Sequence, residues 1–245
     1  MGRAACAFAV VCAAGGAAAD GAPAPLVAAW LEAPTGVYGH RVLGDIPEAF
    51  VLAARGADGA EYRFDLRDAP GDAAVFEDVA PRVVDADGDG APDIVVVESD
   101  LSAGAQLAVY GLRRGALAKV AATPHIGTRF RWLAPVAVAD LNGDGVTDLA
   151  YVDRPHLAKT LRVWSWAPGG LTEIASMGGV TNHRIGDPFI SGGMRDCGAG
   201  PELVLADGDW RDIMAVRFDG GALAAHQIGP LDGPADFDAA LACAR

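Results

Sequence analysis

The sequence has few basic residues for its length, and this deficit excludes one class of partner. Lys and Arg together number 19 among 245 residues, against 32 Asp and Glu, so the formal net charge is −13. A surface this negative repels nucleic acid and anionic membranes. We therefore expect no nucleic acid among the partners of this protein.

Apolar runs long enough to span a membrane are also lacking. The run at residues 4–14 follows the positively charged Arg3, is too short for a membrane span, and precedes three alanines at 17–19. That pattern is typical of a secretory signal peptide. The sequence predicts a signal peptide over residues 1–19, cleavage near Ala19, a periplasmic or extracellular mature protein and no membrane span.

Cysteine is scarce, which excludes a scaffold held by many disulfides. Two of the four cysteines lie within the predicted signal peptide, which leaves Cys197 and Cys243 in the mature chain. An even pair in an oxidising compartment predicts a disulfide between them. Two free buried thiols are the alternative.

The short motifs of common enzymes are missing as well. No nucleophile elbow, phosphate-binding Walker loop, dinucleotide-binding glycine motif or zinc-binding His-Glu pattern occurs, and Ser191 in "ISGGM" lacks the G-x-S-x-G frame. These absences favour a protein that is not an enzyme.

An internal repeat is the most informative feature that the sequence does contain. "DADGDGAPDIVVV" from Asp85 matches "DLNGDGVTDLAYV" from Asp140, and "LAVYGLRRGALAKVAAT" from Leu107 matches "LRVWSWAPGGLTEIASM" from Leu161, both without gaps. A third copy from Met194 is more divergent, and a fourth copy upstream is faint. Repeats of about fifty residues therefore fill the mature chain.

Each repeat has the pattern of four short strands. Segments such as "IVVVE" and "LAYVD" are apolar or β-branched, glycine-rich turns separate them, and residues 35–230 show no sustained helical periodicity. Four-stranded units repeated around a centre are typical of a β-propeller. The sequence predicts an all-β fold, a small or partial β-propeller of about four four-stranded blades. The expected divisions are a linker at 20–34 and repeats at 35–78, 79–128, 129–186 and 187–229.

The C-terminal tail, residues 231–245, is the exception to the β pattern. Asp232 is a candidate helix cap, Pro234 suits the first turn, and Phe237 and Leu241 lie one turn apart. We expect a short helix there.

The two acidic loops follow the pattern D-x-D-x-D-G-x-x-D, with Asn at the third position of the second loop. Side-chain oxygens at positions 1, 3, 5 and 9 can converge on one point, together with a backbone carbonyl at position 7. Oxygen ligands of this kind favour calcium, and we expect about two ions per chain, the first loop binding more tightly. The predicted ligands are Asp85, Asp87, Asp89, the carbonyl of Ala91 and Asp93 in the first loop, and Asp140, Asn142, Asp144, the carbonyl of Val146 and Asp148 in the second.

Alternatives to this calcium loop are an EF-hand and an acidic hairpin that binds nothing. An EF-hand needs Glu at position 12, where this chain has Val96 and Tyr151, and a helix afterwards. Four uncompensated carboxylates would destabilise an empty hairpin. The third copy keeps only Asp196 and Glu202 at the aligned positions, so we expect no ion there and a disulfide as the tie.

These loops and the strands after them resemble FG-GAP or VCBS repeats, the units of integrin α-subunit propellers and of many secreted bacterial proteins. The resemblance implies a β-propeller with calcium on one rim, used chiefly for adhesion or ligand binding. The partner would be a protein or a glycan.

Four further side chains are candidate ligand contacts. Arg129 and Arg131 lie at the start of the third repeat, and Arg154 and His156 lie in a loop between strands, where propellers keep binding groups. The rival hypothesis is a hydrolase or lyase with a site at the propeller mouth involving His156, Arg154 and Arg131. The other histidines recur before glycine near the repeat junctions and are interpreted as structural: His40, His125, His183 and His226.

Overall fold

The computed structural model describes residues 23–71, 73–219 and 221–244. The predicted signal peptide lies outside the described residues. Within them the chain forms seventeen strands, all paired antiparallel, and one short helix. The predicted all-β, partial propeller-like fold is confirmed.

The first sheet has eight strands and spans the first two expected repeats. Its strands are β1 Leu26–Thr35, β2 Glu48–Gly56, β3 Glu61–Asp65, β4 Ala74–Phe76, β5 Arg82–Val84, β6 Asp93–Asp100, β7 Gly104–Arg113 and β8 Ala116–Ala122. They are ordered β1-β2-β4-β6-β7-β8, with β3 on β2 and β5 on β6. Because the buried strand β4 pairs with both β2 and β6, the two repeats form one continuous sheet rather than two separate blades.

Strand β1 corrects the expected linker at 20–34. It pairs with β2 along its length, with Trp30 opposite Ala53 and Leu31 opposite Leu52. The alanine- and proline-rich sequence before it carries no strong strand signal. The pairing with a buried neighbour therefore decides the local structure.

The second and third sheets hold the later repeats. The second is a four-stranded meander of β9 Leu133–Ala139, β10 Asp148–Asp153, β11 Thr160–Ala167 and β12 Gly170–Gly178. The third contains β13 Val180–Thr181, β14 Gly193–Asp196, β15 Pro201–Asp207, β16 Asp212–Asp219 and β17 Ala222–Pro230. Both β13 and β14 pair with β15, so the connection between them leaves and re-enters the sheet.

Helix α1, Pro234–Leu241, ends the described chain. Gly233 is its N-cap, and a carboxylate oxygen of Asp236 accepts hydrogen bonds from the backbone N–H groups of Asp232 (2.8 Å) and Gly233 (2.9 Å). Asp236 therefore does the capping that the sequence assigned to Asp232. Phe237 is buried against the third sheet. No helix in the described part of the chain is long and apolar enough to cross a membrane.

The loop between β1 and β2 contributes to the core that the first two sheets share. Val42 and Leu43 are buried among side chains of both sheets. The backbone N–H of Gly186, which precedes β14, donates to the carbonyl of Val42 at 2.9 Å. A Cβ on Gly44 would lie 2.5 Å from the carbonyl oxygen of Gly186, so only glycine fits this approach. The loop thus links the first, second and third sheets.

Candidate metal centre

Each acidic loop connects two neighbouring strands of one sheet. The first loop joins β5 to β6, and the second joins β9 to β10. The residue at position 2 of each loop is buried in a hydrophobic core cluster: Ala86 in the first loop and Leu141 in the second. The residue at position 9 is the buried first residue of the strand that follows the loop: Asp93 in the first loop and Asp148 in the second. The hydrophobic core therefore fixes both ends of each loop and leaves the acidic residues between them at the surface.

Asp85 shapes the first loop from within. Its two carboxylate oxygens accept hydrogen bonds from the backbone N–H groups of Gly88 (2.8 Å) and Gly90 (3.0 Å). Both glycines have φ near +80°, at +76° and +89°, a region that side-chain-bearing residues rarely adopt. The loop consequently winds around Asp85.

This winding brings three carboxylates together. One oxygen from each of Asp85, Asp87 and Asp89 lies within 4.8 Å of the others. Oxygen atoms at this separation can share one hard cation. The three aspartates could therefore hold a metal ion.

The second loop repeats the backbone of the first. Asp140 accepts from the N–H groups of Gly143 (2.7 Å) and Gly145 (2.9 Å), whose φ angles are +81° and +84°. The amide of Asn142 donates to Asp144 at 3.0 Å. The backbone shape is thus conserved between the loops, with an amide in place of one carboxylate.

At position 9, each loop has a buried carboxylate whose charged form is disfavoured by burial and by neighbouring aspartates. Asp93 is 2% exposed, and burial together with the charge of Asp87 raises its pKa to about 6. Asp148 is fully buried, and burial with the charges of Asp144 and Asp140 raises its pKa, which the nearby Ser165 hydroxyl and the N–H of Leu141 offset only in part.

Among the described residues, only the first loop brings three carboxylate oxygens within 4.8 Å of one another, and in the second loop it is the environment of Asp148 that favours a cation. Its Oδ2 accepts from the N–H of Leu141 at 3.0 Å, but its Oδ1 is buried with no hydrogen-bond partner among the described residues. A buried carboxylate oxygen without a partner is costly. A hard cation in the loop would supply that partner.

The third loop keeps the turn but not the acidic set. Asp196 accepts from the N–H groups of Gly198 (2.8 Å) and Gly200 (3.1 Å). A disulfide joins Cys197 in this loop to Cys243 beyond helix α1, as the sequence predicted. The disulfide ties the loop to the C-terminal tail.

Three of the four candidate ligand contacts line one small hollow. Arg131, Arg154 and His156 surround a space of about 30 Å³ with His40, Phe130, Trp132 and Leu157. Arg129 lies outside it: its guanidinium stacks on Tyr38 and Phe130 and donates to the carbonyl of Leu101 at 2.8 Å. A space of this volume holds about one water molecule.

Two histidines interpreted as junction residues lie beside that hollow. His40 Nδ1 is 2.8 Å from buried Glu77, which also accepts from the hydroxyl of Ser99 at 2.6 Å. His183 Nδ1 is 3.0 Å from His156 Nε2. Nothing in the sequence separated these two from the other junction histidines, because all four share one local pattern.

Residues 85–151, which contain both acidic loops, match the family model of the FG-GAP-like repeat. This segment is an FG-GAP-like repeat. The resemblance seen in the sequence is thereby confirmed over these residues, and FG-GAP-like repeats build β-propeller-like interaction modules. No curated protein matches the chain significantly.

Proposed function

We propose that the protein is a calcium-stabilised, non-enzymatic binding module that works in the periplasm or outside the cell. The buried Oδ1 of Asp148, which lacks a partner among the described residues and belongs to an FG-GAP-like loop, carries this proposal. Calcium suits the donor set because it accepts six to eight oxygen ligands in flexible geometry.

Calcium in these loops is structural. The ligands are the two sets predicted from the sequence, one for each loop, which gives about two ions per chain. Each ion would hold together a loop whose ends continue into core strands, so binding would stabilise the β5–β6 and β9–β10 connections.

The disulfide between Cys197 and Cys243 supports an oxidising location. We propose that residues 1–19 direct secretion and are removed near Ala19. The mature chain is then one charge unit more negative than the precursor, because Arg3 is the one charged residue lost.

The ligand that we propose is a protein or a glycan, and one cavity offers suitable groups. A space of about 310 Å³ lies between helix α1 and the segment before β14, lined by Trp210, Arg184, Asp187 and Phe189 among others. The guanidinium of Arg184 stacks on Trp210 at 4.3 Å. An aromatic face beside charged groups suits sugars and peptide side chains.

Thermal unfolding in calcium and in EDTA tests the proposal. At a calcium concentration one hundredfold above Kd, each loop adds about 2.7 kcal/mol, and we expect the melting temperature to rise by several degrees. Magnesium at the same concentration should raise it less, because it demands a stricter octahedral geometry. Equal melting temperatures in calcium and EDTA would contradict the calcium assignment.

A hydrolase or lyase remains the second candidate, because Arg131, Arg154 and His156 share one hollow. Those groups already have partners: Arg154 pairs with Asp153, and His156 with His183. Turnover of a glycoside or phosphoester that His156→Ala abolishes, with the melting temperature unchanged, would favour this enzyme over the binding module.

A further inference from the structure

The three loops differ in how much positive charge the chain itself brings to the carboxylate at position 9. The carboxylates are Asp93, Asp148 and Glu202, at equivalent places in the three copies. All three are buried, with exposures of 2%, 0% and 7%. A buried carboxylate needs a cation or a full set of hydrogen bonds, so the source of that cation decides what each loop requires from solution.

In the third loop the chain supplies the cation completely. Arg195 Nε and Nη2 lie 3.0 Å and 2.8 Å from the same oxygen of Glu202, and Nη1 donates to the carbonyl of Ala240 in helix α1. The Arg195 side chain is 5% exposed. A fixed, buried guanidinium therefore neutralises this loop.

In the first loop the chain supplies the cation in part. Arg113 Nη2 donates to Asp87 at 3.1 Å, and Nη1 lies 4.0 Å from Asp93 Oδ1. Gly111 makes room for this approach: a Cβ there would lie 2.4 Å from Asp93 Oδ1 and 2.7 Å from Arg113 Nη1. The Arg113 side chain is 41% exposed, so it can move away.

In the second loop the chain supplies no cation. The repeat places Ser165 where the first copy has Gly111, and Ala167 where it has Arg113. Within the described residues, no ion pair reaches Asp140, Asp144 or Asp148. The buried Oδ1 of Asp148 consequently has no charged partner among the described residues.

We propose that Arg113 is a built-in counter-cation that competes with calcium for the first loop. The three loops then form a graded series: the second depends on calcium most, the first binds it more weakly because Arg113 must be displaced, and the third binds none. The first loop is then the weaker site although it has one more carboxylate, which reverses the order expected from the sequence. This inference rests on the proposed calcium binding.

Single-loop variants of the full mature chain test the series by calcium titration calorimetry. Asp140→Asn with Asp144→Asn silences the second loop and leaves the first to report. In that background Arg113→Ala should tighten calcium binding about two- to fivefold, the range expected for losing one competing exposed ion pair. The matched control is Arg114→Ala, which removes the same charge from the next residue and should change affinity less than about twofold.

The reciprocal change is made in the second loop. Asp85→Asn with Asp89→Asn silences the first loop, and Ala167→Arg then places a guanidinium where the first copy has one. We expect Ala167→Arg to weaken calcium binding about two- to fivefold. In the unsilenced chain, Arg113→Ala combined with Ala167→Arg should reverse the order of the two sites.

A second measurement does not depend on the silenced variants. In the otherwise unchanged chain, the side-chain NMR resonance of Arg113 should shift on calcium addition, while that of Arg114 should stay. No calcium binding in any variant would contradict the proposed function itself. Calcium binding that Arg113→Ala leaves unchanged, with an unmoved Arg113 resonance, would overturn this inference alone.

Discussion

At the scale of single residues, the buried histidine pair beside the hollow has the clearest consequence for solution behaviour. Burial, followed by the charges of His183 and His40, lowers the pKa of His156 to about 4, and burial also lowers the pKa of His183. Both rings are therefore neutral at pH 7. In the unfolded chain they take up protons near pH 6.5.

This difference predicts acid sensitivity. A histidine with a depressed pKa stabilises the fold fully above its unfolded pKa, and that stability is lost as pH falls toward its folded pKa. As pH falls from 6.5 to 4, the depressed pKa of His156 should lower the free energy of unfolding by about 1–2 kcal/mol. This is less than the pKa difference alone would give, because the ring is partly accessible to solvent. Urea unfolding at pH 7 and pH 5 measures the loss, which should shrink in His156→Gln and persist in His226→Gln.

Residue patterns predicted the acidic loops but not the charges around them. The glycine spacing of the D-x-D-x-D-G motif alone indicated the turn that Asp85 and Asp140 organise. Arg113 reaches the first loop from the end of β7, two strands away in sequence from the start of that loop, whereas Arg195 lies at the second position of the third loop itself. Contacts of this kind depend on strand register, which a local pattern does not reveal.

At the scale of elements, the third loop and helix α1 are connected by a disulfide and by the hydrogen bonds of Arg195. The disulfide links Cys197 to Cys243, and Arg195 bonds to both Glu202 and the carbonyl of Ala240. The tail helix and the disulfide were predictable because capping and cysteine parity are local signals. The pairing of β13 with β15 was not, since β14 intervenes in sequence and pairs with the same strand.

Removing the disulfide should therefore loosen this connection without altering calcium dependence. Its cysteines are 46 residues apart, and a closed loop of that length contributes about 2–4 kcal/mol. Replacing both Cys197 and Cys243 by Ser should lower the free energy of unfolding by that amount, in calcium and in EDTA alike. A loss confined to EDTA would mean that the third loop takes part in ion binding.

At the scale of the whole molecule, the repeat fixed the all-β class in advance, while the division of the sheets depended on non-local pairing. The repeat that contains Asp140 folds as the separate four-stranded sheet that its sequence pattern indicated. The first two units fuse through β4, a three-residue strand too short to be recognised from its sequence. Strand β1 was not predicted from the sequence for a related reason. Its pairing with β2, and not its composition, makes this segment a strand.

The central claim is that the acidic loops are built around an ion, and the free energy of unfolding of Asp148→Asn tests it most directly. In EDTA the substitution removes a buried, uncompensated charge and should stabilise the chain by about 1 kcal/mol. In calcium it replaces a charged ligand by a neutral one and should destabilise the chain by about 1–3 kcal/mol relative to the unsubstituted protein. Asp196→Asn, in the third loop, is the matched control and should change the free energy of unfolding by the same amount in calcium and in EDTA. An Asp148→Asn effect of the same sign and size in calcium and EDTA would contradict the account.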